Sequence, residues 1–86
     1  MNDAVREEIR KQVDAFRGGQ VALEDFASEL ERLLYQLEGV SAELDGRFRE
    51  VSNELEMIRF TKNPEGWRAA VEEVLTRLWT ALDRVA

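Results

Sequence analysis

Five apolar residues, Leu44, Phe48, Val51, Leu55 and Ile58, recur at spacings of 4, 3, 4 and 3. Only a helix of 3.6 residues per turn brings side chains so spaced onto one face. The pattern predicts a helix that opens at Ser41 or at Asp45 and runs to about Phe60. Gly46 weakens its first turn by roughly 1 kcal/mol relative to alanine, which keeps the later start open.

Three further stretches share this periodicity. Val5, Ile9, Val13 and Phe16 place one face on a helix from about Asp3 to Arg17. Asp3 is its candidate N-cap, and Glu7 and Lys11 are spaced as an i,i+4 ion pair. Gly18 and Gly19 end it, because glycine accepts the left-handed conformation of a C-terminal cap. A second helix is expected from near Ala22 to near Glu38, stopped by Gly39. Its face is Leu23, Phe26, Leu30, Leu33 and Leu37. Val21 and Phe26 are placed as a hydrophobic staple, and Asp25 sits where a capping-box acid would sit. Ala22 at the N-cap is the flaw in that start. The last helix follows Thr61-Lys62-Asn63, with Asn63 as N-cap and Pro64 at the first helical position. Its face is Trp67, Val71, Val74, Leu78, Leu82 and Val85, and Glu73 and Arg77 are spaced as a second ion pair.

No strand period occurs. Connections of two to five residues make neighbouring helices antiparallel. The expected fold is all-α, an antiparallel up-down four-helix bundle in one domain over residues 1–86. Two long hairpins completing a core by dimerisation are the alternative. Leu75 and Trp79 lie off the last helix's main face and are expected to pack on the first helix. A self-association patch is their other reading, and the chain is expected to be a monomer.

The chain carries 12 basic and 18 acidic residues, no histidine and no cysteine. Disulfides and thiolate metal sites are therefore excluded, and the commonest catalytic bases and transition-metal ligands are missing. A di-iron bundle would need Glu-x-x-His motifs, which this chain lacks. No glycine-rich phosphate loop occurs. Every Asp and Glu lies off the apolar faces, so no buried carboxylate pair is indicated. The expectation is a non-enzyme without cofactor or metal. No run of about 20 apolar residues occurs, nor a basic segment leading into an apolar one; cytoplasmic location is the default.

The charge is unevenly placed. Residues 22–56 hold ten acids and three bases, a net of −7, while the remainder holds eight acids and nine bases. Phosphate backbones and anionic membrane surfaces both want the opposite sign. A basic protein surface is the natural complement. At about 100° per residue, Asp25 and Glu29 share one flank of the second helix, and Tyr35 projects from its outer side among Glu24, Glu31 and Glu38. Glu43, Glu50 and Glu54 share one flank of the third. Asp25/Glu29 and Glu50/Glu54 are like-charge i,i+4 pairs, relieved in part by Arg32 and Arg47. The candidate partner-binding residues are Asp25, Glu29, Tyr35, Glu43, Glu50 and Glu54. A solvated face is the plain alternative.

Phe16, Gly18-Gly19, Val21, Ala22, Leu23, Glu24, Asp25 and Phe26 together resemble the pattern in the colicin D immunity-like proteins. There an aromatic ends the first helix. A small loop, an aliphatic residue and a cap follow, with an acid–Phe pair closing the pattern ten residues after that aromatic. Ala22 departs from the usual Ser or Thr cap. The resemblance is detailed only over Phe16 to Phe26, while length, helix plan and acidity fit in outline. It implies an immunity protein that binds a cognate tRNA-cleaving toxin domain and occludes its basic, RNA-binding active site. The five candidate acids would then present carboxylates where phosphates would lie, with Tyr35 as an anchor. The alternative is a small acidic interaction or adaptor subunit without a toxin partner, self-associating through Leu75 and Trp79. A secretion-substrate hairpin would need Trp-x-Gly between two helices, whereas Trp67-Arg68-Ala69 falls inside one.

Overall fold

The computed structural model describes residues 2–61 and 63–85; Lys62, in the expected connection before the last helix, lies outside them. The chain is an all-α, four-helix fold, with α1 Asp3–Arg17, α2 Leu23–Tyr35, α3 Ala42–Thr61 and α4 Pro64–Asp83. No strand occurs among the described residues. The chain divides into two compact units, Met1–Glu38 and Gly39–Ala86. In the first α1 packs with α2, and in the second α3 packs with α4.

In the first unit, α1 ends in a Schellman motif. The Gly19 N–H donates to the Phe16 carbonyl at 3.0 Å and the Gln20 N–H to the Ala15 carbonyl at 2.8 Å. Gly19, at φ 74°, takes the left-handed position that makes this closure possible. Gly18 remains right-handed. The chain then turns back so that Phe16 stacks on Phe26, with ring centroids 5.0 Å apart. At the other end Asn2 bonds the backbone of Glu38, just beyond α2. Contacts between opposite ends of the two helices make the pair antiparallel.

The N-termini depart from the expected caps. The N-cap of α1 is Asn2, so Asp3 is already helical, and Asn2 directs its side chain to Glu38 instead of capping. Ala22 is the N-cap of α2, extended at ψ 156° and without a side-chain bond, as its methyl group dictates. α2 ends at Tyr35, three residues short of Glu38. The Gln36 and Leu37 N–H groups make tight three-residue bonds to the carbonyls of Leu33 and Leu34, and these close the helix before Gly39. In α3 the earlier start prevails, because the Ser41 hydroxyl accepts the Leu44 N–H at 3.2 Å. Asn63 is the N-cap of α4, with no side-chain cap bond, and Pro64 opens the helix.

The expected faces are the buried ones. Leu23, Phe26, Leu30, Leu33 and Leu37 are buried, as are Leu44, Phe48, Val51, Leu55 and Ile58. Ile9 and Val13 are fully buried, whereas Val5 and Phe16 are half-buried. On α4, Val71, Val74, Leu78, Leu82 and Val85 are buried and Trp67 is half-buried. Three residues join the buried set from beside these faces: Leu34, Leu75 and Ala81. Removing any one large buried side chain leaves a cavity that destabilises by roughly 2–5 kcal/mol. In α3–α4, Arg84 beyond the end of α4 reaches Glu43 in the first turn of α3, and Arg77 reaches Glu54. That pair is antiparallel too.

Candidate functional site

The six candidate residues fall three to a unit. Asp25, Glu29 and Tyr35 lie on α2; Glu43, Glu50 and Glu54 lie on α3. The first unit holds nine acids and five bases, a net of −4. Residues 3–17 supply four acids and four bases of that total, so the whole excess belongs to residues 22–38, with five acids against Arg32 alone.

On α2, Asp25 is exposed, and Tyr35 is 70% exposed at the last helical position. Glu29 is not left facing Asp25 uncompensated. The Arg32 guanidinium, one turn on, donates from Nε to both Glu29 oxygens at 3.1 Å, and Nη2 closes on Oε1 as well. This charge-assisted fork holds the Glu29 carboxyl below its ordinary value and raises Arg32. The like-charge pair is thus half neutralised, because i,i+3 spacing puts Arg32 within reach.

The α3 acids are more fully engaged. Arg77 of α4 meets Glu54 in a two-pronged pair, with Nη1 donating to Oε1 at 2.9 Å and Nη2 on Oε2. Arg77 is raised, chiefly by the hydrogen bond it donates to Glu54 and then by the charges of Glu54, Glu50 and Glu73. The expected Glu73–Arg77 pair is therefore replaced by one across the helix pair. Glu43 Oε1 accepts from Arg47 Nη2 and from Arg84 Nη1, each at 3.4 Å. Those two guanidiniums, Arg47 first, hold the Glu43 carboxyl below its ordinary value. Arg47 thus answers Glu43 rather than Glu50. On α1, Lys11 pairs with Glu8 at 3.5 Å instead of with Glu7.

Between α3 and α4 these arginines edge a groove of about 120 Å³. Arg47, Arg77 and Arg84 line it with Glu50 and Thr80, over a floor of Val51 and Ala81. Helical periodicity gave no sign of it, since the arginines come from two helices. Met57 and Phe60 are 61% and 73% exposed on α3, and the Arg59 guanidinium lies over the Phe60 ring, 4.4 Å from its centroid. Their i,i+3 spacing off the buried face was the available signal. Leu75 is 1% exposed, so it belongs to no open self-association patch; Trp79 is half-buried.

Among the described residues no group of three or more acids could hold a metal ion, and no helix is long and apolar enough to cross a membrane. What the surface offers is a paired set of charges on α3–α4 and, on α2, a net acidic stretch with an exposed tyrosine. No protein-family model, curated protein or solved structure matches the chain.

Proposed function

We propose that this chain is an immunity-type inhibitor that docks through α2 onto the basic, RNA-binding cleft of a cognate nuclease toxin. One observation carries the reading: α2 and its flanks hold five acids against one base beside an α1 in exact balance, with Tyr35 exposed among them. A basic protein surface would complement that net acidic stretch, and a tyrosine at such a surface serves as an anchor. The resemblance over Phe16 to Phe26 supplies the toxin as the partner.

Ion pairing ranks the six residues. Asp25 and Tyr35 form the principal contact. Glu29, Glu43 and Glu54 would first have to exchange their arginine partners for those of the toxin, so these three contribute less. Glu50 is exposed and available. The chain performs no chemistry in this reading; it excludes RNA by covering the cleft.

The test uses a tRNA-cleaving toxin domain of the colicin D type and measures inhibition of cleavage. Asp25→Lys with Tyr35→Ala should weaken inhibition at least about tenfold, since close interfacial charge pairs couple at roughly 1.5–7 kcal/mol. Glu7→Lys, exposed on α1, should leave it unchanged. If the α2 variant inhibits as well as the parent, the α2 surface is only solvated. Binding to the toxin domain without inhibition would favour an adaptor over an inhibitor.

A further inference from the structure

Charge and shape in the α3–α4 groove point to a ligand of a different sign, independently of the α2 reading. Arg47 and Arg84 share a single oxygen of Glu43, each at 3.4 Å. Charge-assisted N–H···O bonds are ordinarily about 2.7–2.9 Å long. Each guanidinium has five N–H donors, and no other acceptor is shown for either among the described residues. Two cations thus hang loosely on one carboxylate at the groove's edge, while Arg77 is firmly forked to Glu54.

The floor is apolar, formed by buried Val51 and Ala81. The hydroxyl of Thr80 is turned back to the Thr76 carbonyl at 3.0 Å, so it offers little to a ligand. The volume, about 120 Å³, is several times the roughly 10–15 Å³ that admits a single water, which leaves room for a small organic molecule. We propose that this groove binds a small organic monocarboxylate of the size of propionate. Its carboxylate would take a fork from Arg47 and Arg84, and its alkyl end would lie on Val51 and Ala81. Guanidinium matches carboxylate geometry two bonds at a time. Glu50 at the same wall sets the charge: it opposes a dianion such as phosphate more strongly than a monoanion.

Amide chemical shifts of Val51, Thr80 and Ala81 provide the readout. Sodium propionate is titrated into the whole chain at constant ionic strength, with sodium chloride making up the balance. Saturable shifts confined to the groove are expected. Arg47→Gln with Arg84→Gln should abolish saturation. Glu50→Gln should tighten binding about fivefold, by removing one nearby like charge. Because these two variants move affinity in opposite directions, a general loss of structure cannot imitate the pattern. Non-saturating shifts, or shifts unchanged in the double-arginine variant, overturn the proposal. So does phosphate binding more tightly than propionate in a parallel titration. An acidic peptide run alongside separates a free acid from a protein side chain as the source: the proposal expects propionate to bind and the peptide to be excluded by size.

Discussion

The side-chain amide of Asn2 clamps the backbone of Glu38. Its Nδ2 donates to the Glu38 carbonyl at 2.9 Å, and its Oδ1 accepts the Glu38 N–H at 2.8 Å. Asn2 is 8% exposed, the one buried polar residue among those described. The clamp ties the start of α1 to the exit of α2 across 36 residues of sequence. Asn2→Ala strands a donor and an acceptor of the Glu38 peptide, which should cost about 1–3 kcal/mol in urea unfolding. Asn2→Asp keeps the acceptor but turns an oxygen toward the Glu38 carbonyl. It should cost more than alanine at neutral pH and recover in acid, where a protonated carboxyl can donate.

Two glycines should respond to alanine with opposite signs. Gly19 sits at φ 74°, where a Cβ is strained although nothing crowds it. Gly19→Ala should destabilise by about 1–2 kcal/mol. Gly46 lies inside α3 with open space around its Cβ position. Gly46→Ala should stabilise by about 0.5–1 kcal/mol. Thermal midpoints of the two variants test both at once.

Phenylalanines on α3 separate core from surface. Phe48 is 4% exposed and Phe60 is 73% exposed. Phe48→Ala should lose about 3–5 kcal/mol, and Phe60→Ala should stay within about 0.5 kcal/mol of the parent. Equal losses would place both rings in packing that the structure denies to Phe60.

What was legible in the sequence was what one helix shows by itself. The α3 face from Leu44 to Ile58 and the α2 face from Leu23 to Leu33, with Leu37 just beyond the helix, follow from period alone, and every residue named on them is buried. Leu34 and Leu75 were also within reach, since each lies four residues beyond a buried residue of its own helix, Leu30 and Val71. Ion-pair partners were not. Arg77 has Glu73 at ideal local spacing, yet it goes to Glu54 on another helix, because i,i+4 spacing offers a partner without excluding a better one. Asn2 likewise left its capping role for a peptide 36 residues away. Side chains with several donors choose among local and distant acceptors, and only the folded geometry reveals the choice. The same limit hid the α3–α4 groove, whose arginines come from two separate stretches.

Acid stability should carry the signature of Glu43. Arg47 and Arg84 hold its folded-state carboxyl below the ordinary 4.5. A carboxyl depressed on folding stabilises the native state above its unfolded value, and that contribution is lost as pH falls through the folded value. The stability of Glu43→Gln should therefore fall less steeply than the parent's between about pH 5 and about pH 3. The difference should be small, because this cluster is exposed and screened. Unfolding midpoints measured across that range check the slope, and identical slopes would mean that Glu43 titrates as it does in the unfolded chain.

The choice of Arg77 between two acids can be measured directly. Its fork to Glu54 spans α3 and α4, while Glu73 lies one turn away on its own helix and affects it only through space. A double-mutant cycle of Arg77→Gln with Glu54→Gln should return a coupling of about 0.2–1 kcal/mol, the range for exposed pairs. The matching cycle with Glu73→Gln should return a smaller value. Raising salt should shrink the first coupling, because exposed charges are screened over about 8 Å at physiological ionic strength. A larger coupling to Glu73 would restore the local pair that spacing suggests. It would also free Glu54 to meet a basic partner, and Glu54 would then deserve the same weight in docking as Asp25 and Glu50.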